Sequence, residues 1–138
     1  MYAWIAGLVV HRTIRQINDG NVRALIRGYA RDATVVFPGD HSWAGTYRGK
    51  AEIERFFRRV VEAGLQFRSG KVLAKGPPWR LTVCFQLFDR ATAPDGTVVY
   101  ANRVMELIKT SWGKIRYQEL YLDTQKVAEL DRYLTEAA

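Results

Sequence analysis

The sequence predicts an α+β domain. Three observations carry the prediction. Helix-period segments cluster in the first half of the chain. Four long segments with two-residue alternation, rich in β-branched and aromatic residues, fill most of the second half. Neither a βαβ rhythm nor a glycine-rich phosphate loop joins the two. The order reads α-α-β-α-β-β-β-β-α, with helices packed on one side of a curved, largely antiparallel sheet. The 138 residues suit one domain over 1–138.

Residues 3–18 place Ala6, Val10, Ile14 and Ile17 three to four apart, a helix stripe. The preceding apolar start belongs to the same buried helix. "NDGN" (18–21) stops it, and Asn21 is suited to cap a short second helix over 21–30, with Val22, Leu25, Ile26 and Tyr29 facing inward. "ATVVF" (33–37) is a strand, ended by Pro38-Gly39, and 40–49 is a loop. Residues 50–63 form a strong amphipathic helix with Ile53, Phe56, Phe57, Val60 and Val61 on one side and Gly64 at its C-terminal cap. Strands follow over 65–75, with a bulge at Gly70, then 79–91, 98–109 and 115–123. "APDGT" (93–97) and "TSWGK" (110–114) are the turns between the later ones. Thr124 caps a closing helix over 124–136.

Composition narrows the function classes. A hydrophobic fraction of 48% and a charged fraction of 25% are those of a globular protein. The single cysteine, Cys84, lies in the apolar run "LTVCFQLF" and reads as a small core residue, so the fold needs no disulfide. The formal charge is +7, but the arginines are scattered and not interleaved with aromatics, which argues against nucleic acid. His11 and Arg12 interrupt the apolar start before it could span a membrane, and a basic leader with a cleavage site is missing. A cytoplasmic protein with no membrane partner is the expectation. No His/Cys cluster has metal-ligand spacing.

Three stretches carry a family resemblance: "NDGNVRALIRGYARDATVVFPG" (18–39), "WAGTYRGKAEIERFF" (43–57) and "GKIRYQELYLD" (113–123). With them the chain resembles the SnoaL-like, polyketide cyclase-like group of the nuclear transport factor 2-like superfamily. The resemblance implies a conical barrel, a sheet wrapped around a deep pocket, and a homodimer formed through the outer sheet face. It says less about activity, because relatives include polyketide cyclases, ketosteroid isomerase, epoxide hydrolase, scytalone dehydratase and binders without chemistry.

In "YQELYLD" (117–123), Tyr117, Glu119, Tyr121 and Asp123 share one face, and Gln118, Leu120 and Leu122 the other. Alternation alone places the carboxylates in water. The resemblance instead implies that Tyr121 and Asp123, which match its Tyr-x-Asp motif, face the pocket. On the neighbouring strand Tyr100, Asn102, Val104, Glu106 and Ile108 share a face. Trp79, Leu81, Val83, Phe85 and Leu87 form an apolar wall on the strand before it. The loop 40–49 is expected at the pocket mouth, with Trp43 and Tyr47 covering a ligand and His41 able to titrate near neutral pH. His11 reads as structural or exposed.

By analogy with relatives that move protons beside a carbonyl, Asp123 is the candidate acid/base. Tyr121 and His41 are its catalytic partners. Trp43, Tyr47, Phe57, Phe85, Asn102, Glu106 and Glu119 are candidate substrate contacts. A carboxyl in an apolar pocket is well suited to such chemistry, since burial raises its pKa toward neutrality. The expected reaction is a cofactor-independent isomerisation or cyclisation of a small hydrophobic carbonyl compound. A non-catalytic ligand-binding or dimeric scaffold domain is the alternative. The epoxide hydrolase arrangement is disfavoured, because Val104 and Glu106 stand where an Arg-x-Asp pair is needed.

Overall fold

The structure is a computed structural model describing residues 3–137. Met1 and Tyr2 of the apolar start, and Ala138 at the end of the expected domain range, lie outside them. The elements run α1 (Ala3–Asn18), α2 (Val22–Ile26), β1 (Tyr29–Phe37), β2 (Gly45–Arg48), α3 (Gly49–Glu62), β3 (Gln66–Lys75), β4 (Thr82–Thr92), β5 (Val98–Ser111), β6 (Lys114–Leu122) and α4 (Thr124–Ala137). The strands form one mixed sheet in the order β2-β1-β6-β5-β4-β3. Only the β1–β6 contact is parallel among these pairings. The α+β class expected from the sequence is the class observed.

Three differences from the sequence reading exceed two residues, each for a local reason. α2 ends at Ile26, and Tyr29 opens β1 opposite Ile115. A buried Tyr fits an inward position in either element, so periodicity could not separate them. Residues 45–48, read as loop, form β2 along β1 from Thr34↔Arg48 to Phe37↔Gly45. Four residues are too few to display alternation. β4 starts at Thr82, because Pro77, Pro78 and Arg80 make a turn closed by Arg80 N–H to the Pro77 carbonyl at 2.9 Å. Trp79 therefore lies in that turn, exposed, and not in the strand's inner wall.

Bulges curve the sheet. The register shifts in β3 between Ser69 and Val72, around Gly70, and in β5 between Lys109 and Thr110. At Gly70 a Cβ would come within 2.7 Å of the Gln86 side-chain oxygen, so glycine allows this close approach. Along β6, Ile115 is buried, and after two half-buried residues the inward positions are Gln118 and Leu120. The amphipathic face of α3 fills the concave side with Ile53, Phe56, Phe57 and Val60.

Two ends close differently. In the segment between β1 and β2, the Ser42 N–H and hydroxyl donate to the Asp131 carboxylate on α4, at 2.6 and 2.7 Å. Arg59 on α3 donates to the Ser42 carbonyl and hydroxyl at 2.9 and 2.8 Å. This clamp lies beside Trp43, which is buried in the core. At the other edge α1 runs back along β3. Asn18 exchanges two 2.8 Å hydrogen bonds with the Phe67 backbone, and His11 lies beside Ser69. Trp4 and Leu8 on α1 are exposed, so the apolar start is buried on one face only.

Ile53 is 0% exposed at the centre of this packing. Ile53→Ala is expected to lower stability by about 2–5 kcal/mol in equilibrium denaturation.

Candidate active site in an apolar cavity

Between the sheet and the helices lies a cavity of about 150 Å³. A space of about that volume holds a benzene-sized ring. Its wall is overwhelmingly apolar, including Val10, Ile14, Phe57, Val83, Phe85, Leu87, Val104, Leu120 and Val127. Among the lining residues only Pro78 and Gly113 are exposed, so the cavity approaches solvent at the end formed by the 76–81 turn and the β5–β6 hairpin. Trp43 lines the opposite, α4-facing end.

A hydrogen-bonded chain crosses the cavity wall from strand to strand. Tyr29 on β1 donates to the Gln118 side-chain oxygen on β6, and the Gln118 amide donates to Glu106 Oε1 on β5. Glu106 is 5% exposed. Burial pushes its carboxyl up to about 7, the Gln118 amide pulls it partly back, and the Asp89 charge adds a smaller upward push. Its second oxygen has no protein hydrogen-bond partner among the described residues. The Tyr29 hydroxyl is raised well above its ordinary value, first by burial and then by Glu106, so it stays a neutral donor.

A second carboxyl lies on β4. Asp89 is 8% exposed, and burial raises it to about 7 against the lowering effect of the Tyr100 hydroxyl, 3.4 Å away. Its Oδ1 is buried without a partner. Burial also raises Tyr100, helped by the Asp89 charge, and Asn102 donates to its oxygen at 3.0 Å. The indole N–H of Trp43 and the hydroxyl of Thr110, both cavity-lining residues, are also buried with no partner. The cavity wall thus carries unpaired polar groups and two carboxyls that burial raises toward neutrality, in otherwise apolar surroundings.

The expected site residues separate sharply. Trp43, Phe57, Phe85 and Glu106 line the cavity. Asn102 is buried one layer behind, bonded to Tyr100 and, at 3.0 Å, to the Asp123 carbonyl. Tyr47 packs on Phe56 and donates to the Trp43 carbonyl, supporting the floor without lining the cavity. His41 does not line it either. Its Nε2 meets the Pro38 carbonyl at 2.9 Å, and its Nδ1 accepts from the Trp43 N–H at 3.2 Å.

The face chosen on β6 is corrected. Gln118, Leu120 and Leu122 line the cavity, whereas Tyr121 is 51% exposed on the other side. Glu119 shares that outer side, where it accepts from the Tyr117 hydroxyl. The Asp123 carboxylate accepts the Gln125 and Lys126 N–H groups, at 3.1 and 3.3 Å, at the start of α4. The leucines, not the carboxylates, marked the inner face. Cys84 is half-buried in the outward phase of β4, between Leu73 and Leu107, not in the core. The loop expected at the mouth supplies the buried end instead.

Asp89 and Gln118 are cavity residues that the sequence reading does not single out, whereas Tyr29 and Tyr100 lie on the inward faces expected for them. Asp89 was within reach, since the inward series Leu81, Val83, Phe85, Leu87 continues to it at the same two-residue step. Among the described residues, no cluster of three His, Cys, Asp or Glu side chains could hold a metal ion. No described helix is long and apolar enough to cross a membrane.

Both acids bind protons more tightly folded than unfolded. Stability is therefore expected to fall as pH rises from their ordinary values, 4.5 and 3.8, through about 7, and to level off above it. Glu106→Gln and Asp89→Asn should each flatten that decline in denaturation curves taken from pH 4 to 8.

Comparison with known proteins places this architecture. The model of the SnoaL-like domain matches residues 10–118. None of the curated proteins matches. Among solved structures, a protein from a soil-derived mobile gene cassette superposes with a TM-score of 0.78 at 18% identity, covering 96% of this chain and 100% of the other. SalBIII, described as an epoxide hydrolase/cyclase-like enzyme in pyran ring formation in the polyether salinomycin, gives 0.70 at 19%, covering 87% and 92%. TerC, co-crystallised with polyporic acid, gives 0.71 at 20%, covering 90% and 95%. Other neighbours are NTF2-like and cystatin-like proteins. With the matched region spanning most of its length, the chain belongs to the SnoaL-like family, on the NTF2-like α+β fold.

Proposed function

We propose that the protein is a cofactor-independent enzyme that moves a proton on a compact hydrophobic carbonyl compound, in an isomerisation or cyclisation. The observation that carries this reading is Glu106, a carboxyl raised to about 7 inside an apolar cavity, with one oxygen held by Gln118 and the other free. Near neutral pH such a group is divided between its two forms and can both take and return a proton. Gln118, fixed by Tyr29, orients it.

In this reading Glu106 Oε2 removes a proton from the carbon beside the substrate carbonyl. The electron pair shifts toward the carbonyl oxygen, and the proton returns from Glu106 to a different atom. Neutral Asp89, Tyr100 or the Trp43 indole N–H provides the hydrogen bond for the developing oxyanion. The cavity's size favours a single-ring compound or one of similar bulk. SalBIII, described as an epoxide hydrolase/cyclase-like enzyme, and TerC, co-crystallised with polyporic acid, are structural neighbours compatible with this class.

The alternative, ligand binding without turnover, draws on the same chain of hydrogen bonds, since Tyr29–Gln118–Glu106 also satisfies buried polar groups structurally. We assign a second copy of the chain to the outer sheet face, where Leu73, Met105 and Tyr121 are exposed.

Solvent-deuterium exchange into small cyclic ketones, read by NMR, tests catalysis. Glu106→Gln is expected to lower exchange by about 10²–10⁴-fold while the ligand still raises the melting temperature. Asp123→Asn should leave exchange unchanged. Binding in wild type with no exchange in any ketone would leave the binder reading in its place.

A further inference from the structure

We propose that the mouth of the cavity is a docking surface for an anionic lipid bilayer, from which a lipophilic ligand enters. The source of the ligand rests on reading the cavity as a small-molecule site; the docking itself does not.

The mouth is identified by Pro78 and Gly113, the exposed lining residues. Each is followed or preceded in sequence by a tryptophan at the surface. Trp79 is 52% exposed and Trp112 is 78% exposed. Their rings lie 6.3 Å apart, and the Trp112 N–H donates to the Trp79 carbonyl at 3.1 Å. The two turns are thus tied together, with both indoles on the outside. Trp112 has φ +51°, and Gly113 follows at +79°. A two-residue hairpin turn with both φ values positive favours Asn-Gly, and a tryptophan there is unfavourable for the backbone. The fold retains an exposed indole at a position where a small polar residue would fit better.

α1 adds to the same end. It runs antiparallel to β3, with Asn18 at Phe67 and His11 at Ser69, so its N-terminal half lies toward Lys75 and the following turn. Ile5 and Pro78 line the same cavity. Trp4 and Leu8, one helical turn apart on that half of the helix, are both exposed.

The charge around this rim has one sign. Segments 3–18, 65–88 and 107–118, which build it, contain no Asp or Glu. Lys75 and Arg80 beside the mouth are exposed. Indoles at the headgroup level with flanking cations are the usual means of holding a protein on an anionic membrane surface. Docking at the surface needs no spanning segment, so the absence of one among the described helices does not oppose it. The proposal departs from the sequence-based expectation of no membrane partner, which rests on the interrupted apolar start. A mouth pressed against the bilayer gives an apolar compound a path into an apolar cavity without crossing water.

Co-sedimentation of the purified full chain with phosphatidylglycerol vesicles and with phosphatidylcholine vesicles tests the proposal. Wild type is expected to sediment with phosphatidylglycerol, to shift its tryptophan emission to the blue, and to be released by added salt. Trp112→Asn combined with Trp79→Ala, and separately Lys75→Glu combined with Arg80→Glu, should each weaken binding at least about tenfold. The single variant Trp112→Asn suits the turn and should melt no lower than wild type, so its weaker binding cannot be ascribed to misfolding. Three results would overturn the proposal: no binding to phosphatidylglycerol at low salt, equal binding by wild type and variants, or self-association lost in Trp112→Asn with vesicles having no effect. No substrate is present in this assay, so its failure is separate from a failure of the proton-transfer reading.

Discussion

The arrangement depends on one carboxyl group held away from water. Glu106 lies on β5, and its hydrogen-bond chain passes to Gln118 on β6 and Tyr29 on β1. It links three neighbouring strands on the concave face of the sheet. Burying an ionised carboxylate there is costly, so the group meets the cost by holding its proton to higher pH. The same response that limits the damage to stability makes the group chemically useful near neutrality. Asp89 repeats the solution on β4, with fewer partners and one oxygen unpaired.

The packing gives that carboxyl its surroundings. The bulges curve the sheet into a concave wall, and α3 sets four apolar side chains against it. The clamp of Asp131 and Arg59 on Ser42 fixes the segment carrying Trp43, which closes the end facing α4. At the other end the wall reaches the surface between two turns, each bearing an exposed tryptophan. The cavity therefore has an apolar interior crossed by one polar chain, and an apolar, positively flanked entrance.

Much of this was legible in the chain, for reasons particular residues make plain. The helix stripes and the alternation of β4 and β5 mark inward positions because each side chain's face is fixed by backbone period, and Phe57, Phe85 and Glu106 follow from that rule. On β6 the rule applied equally, and Leu120 and Leu122 pointed to the correct face. The family motif implies the opposite face there, with Tyr121 and Asp123 inside, and the structure does not follow it. Asp123 serves α4 because the strand ends one residue before it and its carboxylate meets free helix N–H groups. Asp89 is not legible from apolar patterning alone, because it continues the inward series one step past Leu87 as an acidic residue. The entrance was not legible at all, since Trp79, Trp112 and Trp4 are brought to one end by the sheet register and by the direction of α1, and neither is a local property of sequence.

The central claim is that Glu106 shares its proton near neutral pH inside the folded protein. The most direct measurement is a pH titration of the side-chain carboxyl ¹³C resonances in protein labelled at glutamate, with Glu106→Gln assigning the signal. The account predicts a midpoint for Glu106 of about 7, well above the ordinary 4.5 of a glutamate. A midpoint near the ordinary 4.5 would contradict it, because the carboxyl would then be as well solvated as those on the surface.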